Sequence, residues 1–107
     1  MHARVTQFAV QPGKLDEFVH ALESARPLMH ERKGFQALLV LRVEGSNPPD
    51  LRVMTFWDSQ QALQESESNV LFYAALARMM AFSQGFPIIR EEEVMIGDFP
   101  RASAARA

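Results

Sequence analysis

The chain has 107 residues, 48% of them hydrophobic and 22% charged, which is the composition of one ordinary globular domain. Its formal net charge of −2 gives no electrostatic reason to expect a nucleic-acid partner, because such proteins usually carry a basic face. The absence of cysteine excludes disulfides, thiolate metal sites and cysteine catalysis and fits a cytoplasmic protein, and no apolar run is long enough to predict a membrane partner.

The first part of the chain predicts a strand followed by a helix. Residues 3–10 are rich in β-branched and aromatic types, which is typical of a strand, and the turn sequence QPG follows. Apolar residues then recur at helical spacing from Lys14 onward, so one helix face is apolar. Pro27 is expected to kink or end this helix. Gly34 is expected to adopt the left-handed conformation that ends a helical segment before the next strand.

Two strands are predicted to form a hairpin in the middle of the chain. Residues 35–44 read FQALLVLRVE, and alternation places Phe35 on the same face as Leu39 and Leu41. The turn-rich sequence GSNPPD separates this strand from a second one at 51–57. Both faces of the first strand are apolar in its middle, which is unusual for a sheet face in water.

The last part of the chain predicts two helices and a strand. A short polar helix at 60–68 precedes a helix at 69–83 that is apolar almost all round. The last strand is expected over 88–99, and 100–107 is expected to be a flexible C-terminal tail after a domain of residues 1–99.

The order β-α-β-β-α-β predicts the α+β ferredoxin-like class, with an antiparallel four-stranded sheet and helices on one face. The other sheet face would then be open although it is apolar. Because a contiguous apolar face is costly in water, a second copy is expected to pack against it as a homodimer.

Four segments are similar to the antibiotic biosynthesis monooxygenase (ABM) domain family. They are AVQPGKLDEFVHAL for the first strand, turn and helix, ERKGFQALLVLR for an ExxG turn, FWDSQQAL for xWxSxxAL, and SNVLFYAAL for SxxFxxxL, with one residue more between the serine and the phenylalanine. The resemblance covers roughly residues 3–99. It implies a dimeric α+β barrel with a pocket between sheet and helices in each subunit. Family members include cofactor-independent oxygenases of aromatic polyketides, haem-degrading enzymes and quinol oxygenases.

The sequence departs from the active family members at several places. The polyketide oxygenases have asparagine four residues before the tryptophan, where this chain has Val53, and many members have histidine nine residues after it, where this chain has Ser66. The Asn-Trp-His set for haem is absent, so the resemblance implies no haem, and we expect no cofactor. Trp57 matches an active-site position, and Arg78 falls close to the oxygenases' arginine after a one-residue shift.

Trp57 and Arg78 are the first two catalytic candidates. Trp57 shares a strand face with Val53 and Thr55, so its indole is either an aromatic pocket wall with one N–H donor or simply part of the core. Arg78 is the only charge in residues 69–82. It is either an anchor for an enolate, phenolate or carboxylate or a surface arginine.

His30 is the third catalytic candidate, as a base near neutral pH, although an exposed loop histidine is the competing interpretation. The hydroxyl of Tyr73 could bond a substrate oxygen or reach the surface from the core. On the first strand, whichever of Thr6 and Gln7 faces inward is a polar group in an apolar wall. The substrate-binding residues that we predict are Tyr73, Val53, Thr6, Phe72 and Met79.

The predicted function is that of a cofactor-independent monooxygenase acting on a flat hydrophobic phenol, quinol or polyketide-like substrate. The methionine-rich composition favours a deformable apolar cavity. No His, Asp and Glu spacing on one helix face predicts a metal site. The alternatives are a non-catalytic small-molecule-binding or stress-related barrel, and a dimerisation module whose cavity is filled.

Overall fold

The protein is a four-stranded antiparallel sheet with three helices. A computed structural model describes residues 1–99. The elements in chain order are β1 (His2–Ala9), α1 (Leu15–His30), β2 (Phe35–Arg42), β3 (Asp50–Trp57), α2 (Gln60–Glu67), α3 (Val70–Met80) and β4 (Ile88–Glu93). The strands lie in the order β2-β3-β1-β4, and every neighbouring pair is antiparallel. The predicted ferredoxin-like α+β class is confirmed.

The core fills the space between the helices and one face of the sheet. Trp57, Phe18 and Met29 are among its largest fully buried side chains. Burying a side chain of this size contributes roughly 1.5–3 kcal/mol, so the three together anchor β3 and both ends of α1. The buried cluster comprises Phe8, Val10, Phe18, Ala21, Leu22, Ala25, Met29, Leu51, Val53, Trp57, Leu63, Phe72 and Met79.

Helix α1 does not end at Pro27 but continues to His30. Proline has no N–H, so the carbonyl of Glu23 loses its helical partner at this point. Both residues are exposed, and water can therefore satisfy that carbonyl. The last turn is held by Met29, which is buried, and it is closed by a hydrogen bond from the Glu31 N–H to the carbonyl of Pro27 at 3.3 Å.

A bulge in β2 overturns the expected face of Phe35. The register with β3 shifts between Phe35 and Ala37, so Phe35 does not share a face with Leu39 and Leu41. Its ring instead packs edge-on against Trp57 with centroids 5.3 Å apart. The bulge thereby moves one aromatic ring from the open face of the sheet to the face under the helices.

The last strand is shorter than predicted. It covers Ile88–Glu93 because its partner β1 begins at His2, which pairs with Glu93. Beyond this pair, a backbone hydrogen bond runs from the Val94 N–H to the carbonyl of Met1. Residues 94–99 leave the sheet, and the ring of Phe99 reaches Phe56 at 5.7 Å between centroids. The predicted tail, 100–107, lies outside the described residues.

Candidate functional site

A hollow of about 90 Å³ lies under the helices beside Trp57. Sheet and helix residues both contribute to its wall. Met80 and Ile89 are 42% and 57% exposed, so the hollow reaches the surface between the end of α3 and β4. The lining residues are Arg4, Thr6, Phe8, Met29, Val53, Thr55, Trp57, Ser66, Phe72, Leu76, Met79, Met80, Pro87 and Ile89.

Trp57 forms the aromatic wall of this cavity. Alternation along β3 places it on the inward face, where it is 1% exposed. Its indole packs against Phe35 and, at 6.4 Å between centroids, against Phe72. Its Nε1–H donates a hydrogen bond to Thr55 Oγ1 at 3.0 Å. Because this donor is already used within the protein, Trp57 presents an apolar face to the cavity.

Helix α3 supplies the opposite wall through one stripe of side chains. The side chain of Asn69 caps its first turn by accepting from the Phe72 N–H at 2.9 Å. Phe72, Leu76 and Met79 follow the i, i+4, i+7 spacing of one helix face and line the cavity. The cap therefore fixes the start of the helix, and the helical period places these three side chains on the face that is turned toward Trp57.

Four polar side chains interrupt the apolar wall, and two of the three hydroxyl groups among them have hydrogen-bond partners. The hydroxyl of Thr55 accepts from Trp57, and Ser66 Oγ donates to the carbonyl of Leu63 at 2.6 Å. Thr6 is 9% exposed and, unlike Gln7, faces the cavity. None of these polar groups is a general base, since three are hydroxyls and the fourth, Arg4, is a guanidinium that has hydrogen-bond donors and no acceptor.

Arg4 is the charged side chain of the cavity wall. Its Nη2 contacts the carboxylate of Glu67 at the end of α2 and that of Glu91 on β4, the latter at 3.0 Å. Its Nε is buried and has no hydrogen-bond partner. Within residues 1–99, this is the single buried side-chain nitrogen or oxygen that is left without one.

The structure brings five of the predicted site residues together and leaves three apart. Those in the cavity wall are Thr6, Val53, Trp57, Phe72 and Met79. The sequence analysis did not identify Arg4 as a site residue. Arg4 lies two residues before Thr6 on β1, so the alternation of a strand places both side chains on the same face, and this spacing could have indicated it.

Arg78, Tyr73 and His30 lie outside the cavity lining. Arg78 is exposed in a surface groove beside Asp16 and Glu17 of α1. Tyr73 is 66% exposed on the outer face of α3. His30 is exposed at the end of α1, where its ring contacts Phe35 at 5.2 Å between centroids.

Neither a group of three metal-ligating side chains nor a membrane-spanning helix occurs in the described part of the chain. Across residues 1–99, no three His, Cys, Asp or Glu side chains are arranged to hold a metal ion. The helices within that range are also too short or too polar to cross a bilayer.

Residues 1–78 match the family model for antibiotic biosynthesis monooxygenase. The chain belongs to the antibiotic biosynthesis monooxygenase family. The matched range contains most of the cavity wall, including Arg4, Trp57 and Phe72, whereas Met79 and Ile89 are among the wall residues that follow it. No curated protein matches the chain in sequence.

Solved structures show the same ABM fold. A candidate antibiotic biosynthesis monooxygenase from Caulobacter crescentus is 22% identical, with 89% of this chain and 90% of that chain covered and a TM-score of 0.78. SnoaB, a cofactor-independent oxygenase from Streptomyces nogalater, is 15% identical over 94% and 97% of the two chains, with a TM-score of 0.77. A conserved protein from Methanosarcina mazei is 17% identical over 86% and 91%, with a TM-score of 0.76. At these identities the likeness shows the fold and not the activity.

Proposed function

We propose that this ABM-family protein binds a single-ring hydrophobic quinol or phenol beside Trp57 and oxygenates it without a cofactor. The observation that carries the proposal is the size and lining of the cavity, about 90 Å³ with an aromatic wall. An engineered apolar cavity of about 150 Å³ binds benzene, whereas sites for drug-sized ligands measure about 300–1,000 Å³. A single ring therefore needs only a small displacement of the methionines, and a polycyclic polyketide needs a large one.

The proposed residues of the site have distinct roles. Trp57 and Phe72, which contact each other edge-on, together form the aromatic wall against which the ring packs, since offset or edge-on contacts stabilise aromatic pairs. Val53 and Thr6 shape the sheet side of the cavity. Met79 is the adaptable element, because an unbranched thioether changes rotamer at little cost and fits ligands of different outline.

The proposed reaction uses the substrate as the source of electrons. A quinol and O₂ give a hydroxyquinone and water: one oxygen atom forms a C–O bond at a free ring position and the other leaves as water. The quinol supplies all four electrons, and its ring C–H bond breaks as the C–O bond forms. Of the two hydroxyl hydrogens and the one ring hydrogen that the quinol loses, two end in the water and one on the new hydroxyl group. The first hydroxyl proton passes to the carboxylates of Glu67 and Glu91, which lie beside Arg4. The protein contributes a dry cavity and a donor for the oxygen that becomes negative.

The test is turnover of methylhydroquinone under ¹⁸O₂, with the product analysed by mass spectrometry. We expect a hydroxyquinone that carries one ¹⁸O atom, formed faster than in buffer, where autoxidation gives the quinone and hydrogen peroxide. We expect kcat/KM of a Trp57→Phe variant to be up to about tenfold lower, which is the effect of losing one aromatic contact with the substrate ring. Phe18→Leu is the matched control, because Phe18 is a buried aromatic residue outside the cavity wall. Unlabelled product, or equal losses in both variants, would contradict the proposal.

A second candidate function is ligand binding without chemistry. One observation favours it: the polar groups of the wall are Arg4, Thr6, Thr55 and Ser66, and none of them is a base at neutral pH. This candidate predicts that the quinol binds the purified protein under argon and that admitting oxygen accelerates nothing. The ¹⁸O₂ experiment separates the two functions directly.

We also propose that the working unit is a homodimer formed through the open face of the sheet. Leu39 and Leu41 on β2 are 45% and 46% exposed on this face, and Ile88 on β4 is 56% exposed. On the same face, Met54 and Val5 continue the apolar row from Leu39, whereas Arg52 and Gln7 lie between Leu41 and Ile88. The apolar part of this face is a patch of the kind that marks an interface. An isologous pair of such faces would cover both copies at once.

A further inference from the structure

We propose that Arg4 is the hydrogen-bond anchor of the cavity and that its Nε–H selects aromatic ligands with an uncharged oxygen acceptor, such as a ketone, a quinone carbonyl or a neutral phenol. The inference rests on the proposed binding of a single ring beside Trp57. It adds a residue that sequence reasoning did not find and narrows the ligand class.

The sheet register holds the Arg4 side chain in the cavity wall. Arg4 pairs with Thr55 on β3 and with Glu91 on β4, and paired residues project from the same face. The carboxylate of Glu91 binds Nη2 from one side, and that of Glu67 contacts the same nitrogen. A guanidinium held at its tip by two carboxylates has little freedom to rotate, so the direction of its Nε–H is fixed.

The unpaired Nε–H is the reason to expect a ligand oxygen. Buried donors in native structures are nearly always paired, and an unpaired one is costly, more so on a charged group. Arg4 lines the cavity, its Nε is buried, and the described residues offer that nitrogen no acceptor. The hydroxyl of Thr55, which accepts from Trp57, is not a partner of this nitrogen. An oxygen on a bound ring is therefore the missing acceptor.

The charge balance around Arg4 decides between neutral and anionic ligands. Two carboxylates, of Glu67 and Glu91, face one guanidinium, so the cluster carries one net negative charge. A carboxylate on the ligand would meet this excess of like charge in a partly enclosed site. A neutral carbonyl or phenol accepts the Nε–H hydrogen bond without that repulsion. The same donor then stabilises the charge that grows on the oxygen during oxygenation.

The test measures ligand affinity by isothermal titration calorimetry for two probes of the same shape, acetophenone and α-methylstyrene. Acetophenone has a C=O group where α-methylstyrene has a C=CH₂ group, so only acetophenone can accept a hydrogen bond from the Nε–H of Arg4. In Arg4→Met we expect the affinity for acetophenone to fall about tenfold, as a hydrogen bond to a charged group predicts, and that for α-methylstyrene to change less than about twofold. Arg26→Met is the matched control, since it breaks the exposed ion pair with Glu23 on α1.

A second variant and a third ligand keep the inference open to refutation. Arg4→Lys keeps a positive charge beside the two glutamates but has no Nε–H, and it is expected to show the same selective loss. Wild-type affinity for acetophenone in that variant, or an equal loss for both probes in Arg4→Met, would overturn the role of Nε–H. Benzoate that binds as tightly as acetophenone would overturn the charge selection. If the wild type binds neither probe, the proposed function fails as well; if it binds both and the variants change nothing, only the role of Arg4 is refuted.

Discussion

The Nε1–H of Trp57 donates to Thr55 Oγ1, two residues earlier on the same face of β3, at 3.0 Å. This bond turns the tryptophan into an apolar wall. A ring in the cavity meets the indole face without competing for its N–H. Among the described residues, the Nε–H of Arg4 is then the buried donor in the wall that has no partner.

Replacing Thr55 by valine tests this relationship. Valine has nearly the same shape but no acceptor, so the buried indole N–H loses its partner, and we expect the free energy of unfolding to fall by about 1–3 kcal/mol. Equilibrium urea denaturation measures the change. Thr55→Ser keeps the hydroxyl and should cost less; a serine variant that is less stable than the valine variant would show that packing, and not the hydrogen bond, dominates.

Gly34 is expected to be the glycine that tolerates substitution least. It has a φ of +82°, and a Cβ there would lie 2.6 Å from the Cβ of Ala62 at the start of α2. Gly34→Ala should destabilise the protein by about 1–3 kcal/mol from the backbone and at least about 1 kcal/mol more from the clash. Gly13→Ala has a similar φ of +73° and open space around it, so it isolates the backbone cost. Equal losses in thermal unfolding would refute the contact with Ala62.

A charge on the open sheet face should prevent the proposed dimer. Leu41→Asp places a carboxylate where two copies would meet, and we expect sedimentation equilibrium at micromolar concentration to give the mass of one chain for this variant and of two for the wild type. Arg42→Asp introduces the same side chain at the next position of β2, on the opposite face. A wild type that sediments as one chain, or a Leu41 variant that remains dimeric, would disprove the interface.

Shortening Met79 should widen the range of ligands that fit the cavity. Met79→Ala removes three heavy atoms from a wall residue that is 1% exposed, so we expect a loss of about 2–5 kcal/mol in stability and tighter binding of two-ring quinols such as menadiol relative to one-ring quinols. Calorimetric titration of both ligands measures the ratio. Met95→Ala, at an 84% exposed position outside the lining, should leave the ratio unchanged. An unaltered ratio in the Met79 variant would mean that the cavity opens elsewhere.

The sheet side of the site was largely predictable from sequence. The period of two along β3 is enough to place Val53, Thr55 and Trp57 on one face, but it leaves open whether the helices cover that face, because Met54 and Phe56 make the other face apolar as well. The same period on β1 would have linked Arg4 to Thr6 once the inward residue was known. The sequence of β1 does not show which strand pairs with it. The contact between Arg4 and Glu91 depends on the register of β1 with β4 and could not be predicted.

The helix side was harder to predict for a different reason. Helix α3 is apolar almost all round, so its sequence has no polar face from which to read the orientation. Phe72 and Met79 fall on the cavity stripe, while Tyr73 and Arg78 fall on outward positions of the same helix. The bulge at the start of β2 was also invisible, because an extra residue in a strand changes the face of Phe35 without any change in composition.

The location of the chain's one tryptophan gives the protein an optical reporter of its own. Trp57 is the single Trp in the sequence, it is shielded from water, and it touches whatever enters the hollow. Its emission therefore comes from one known place, and a bound molecule that absorbs in the near ultraviolet will dim it or move its maximum. A library of small arenes can be screened in this way in ordinary plates, without a label and before the natural substrate is identified.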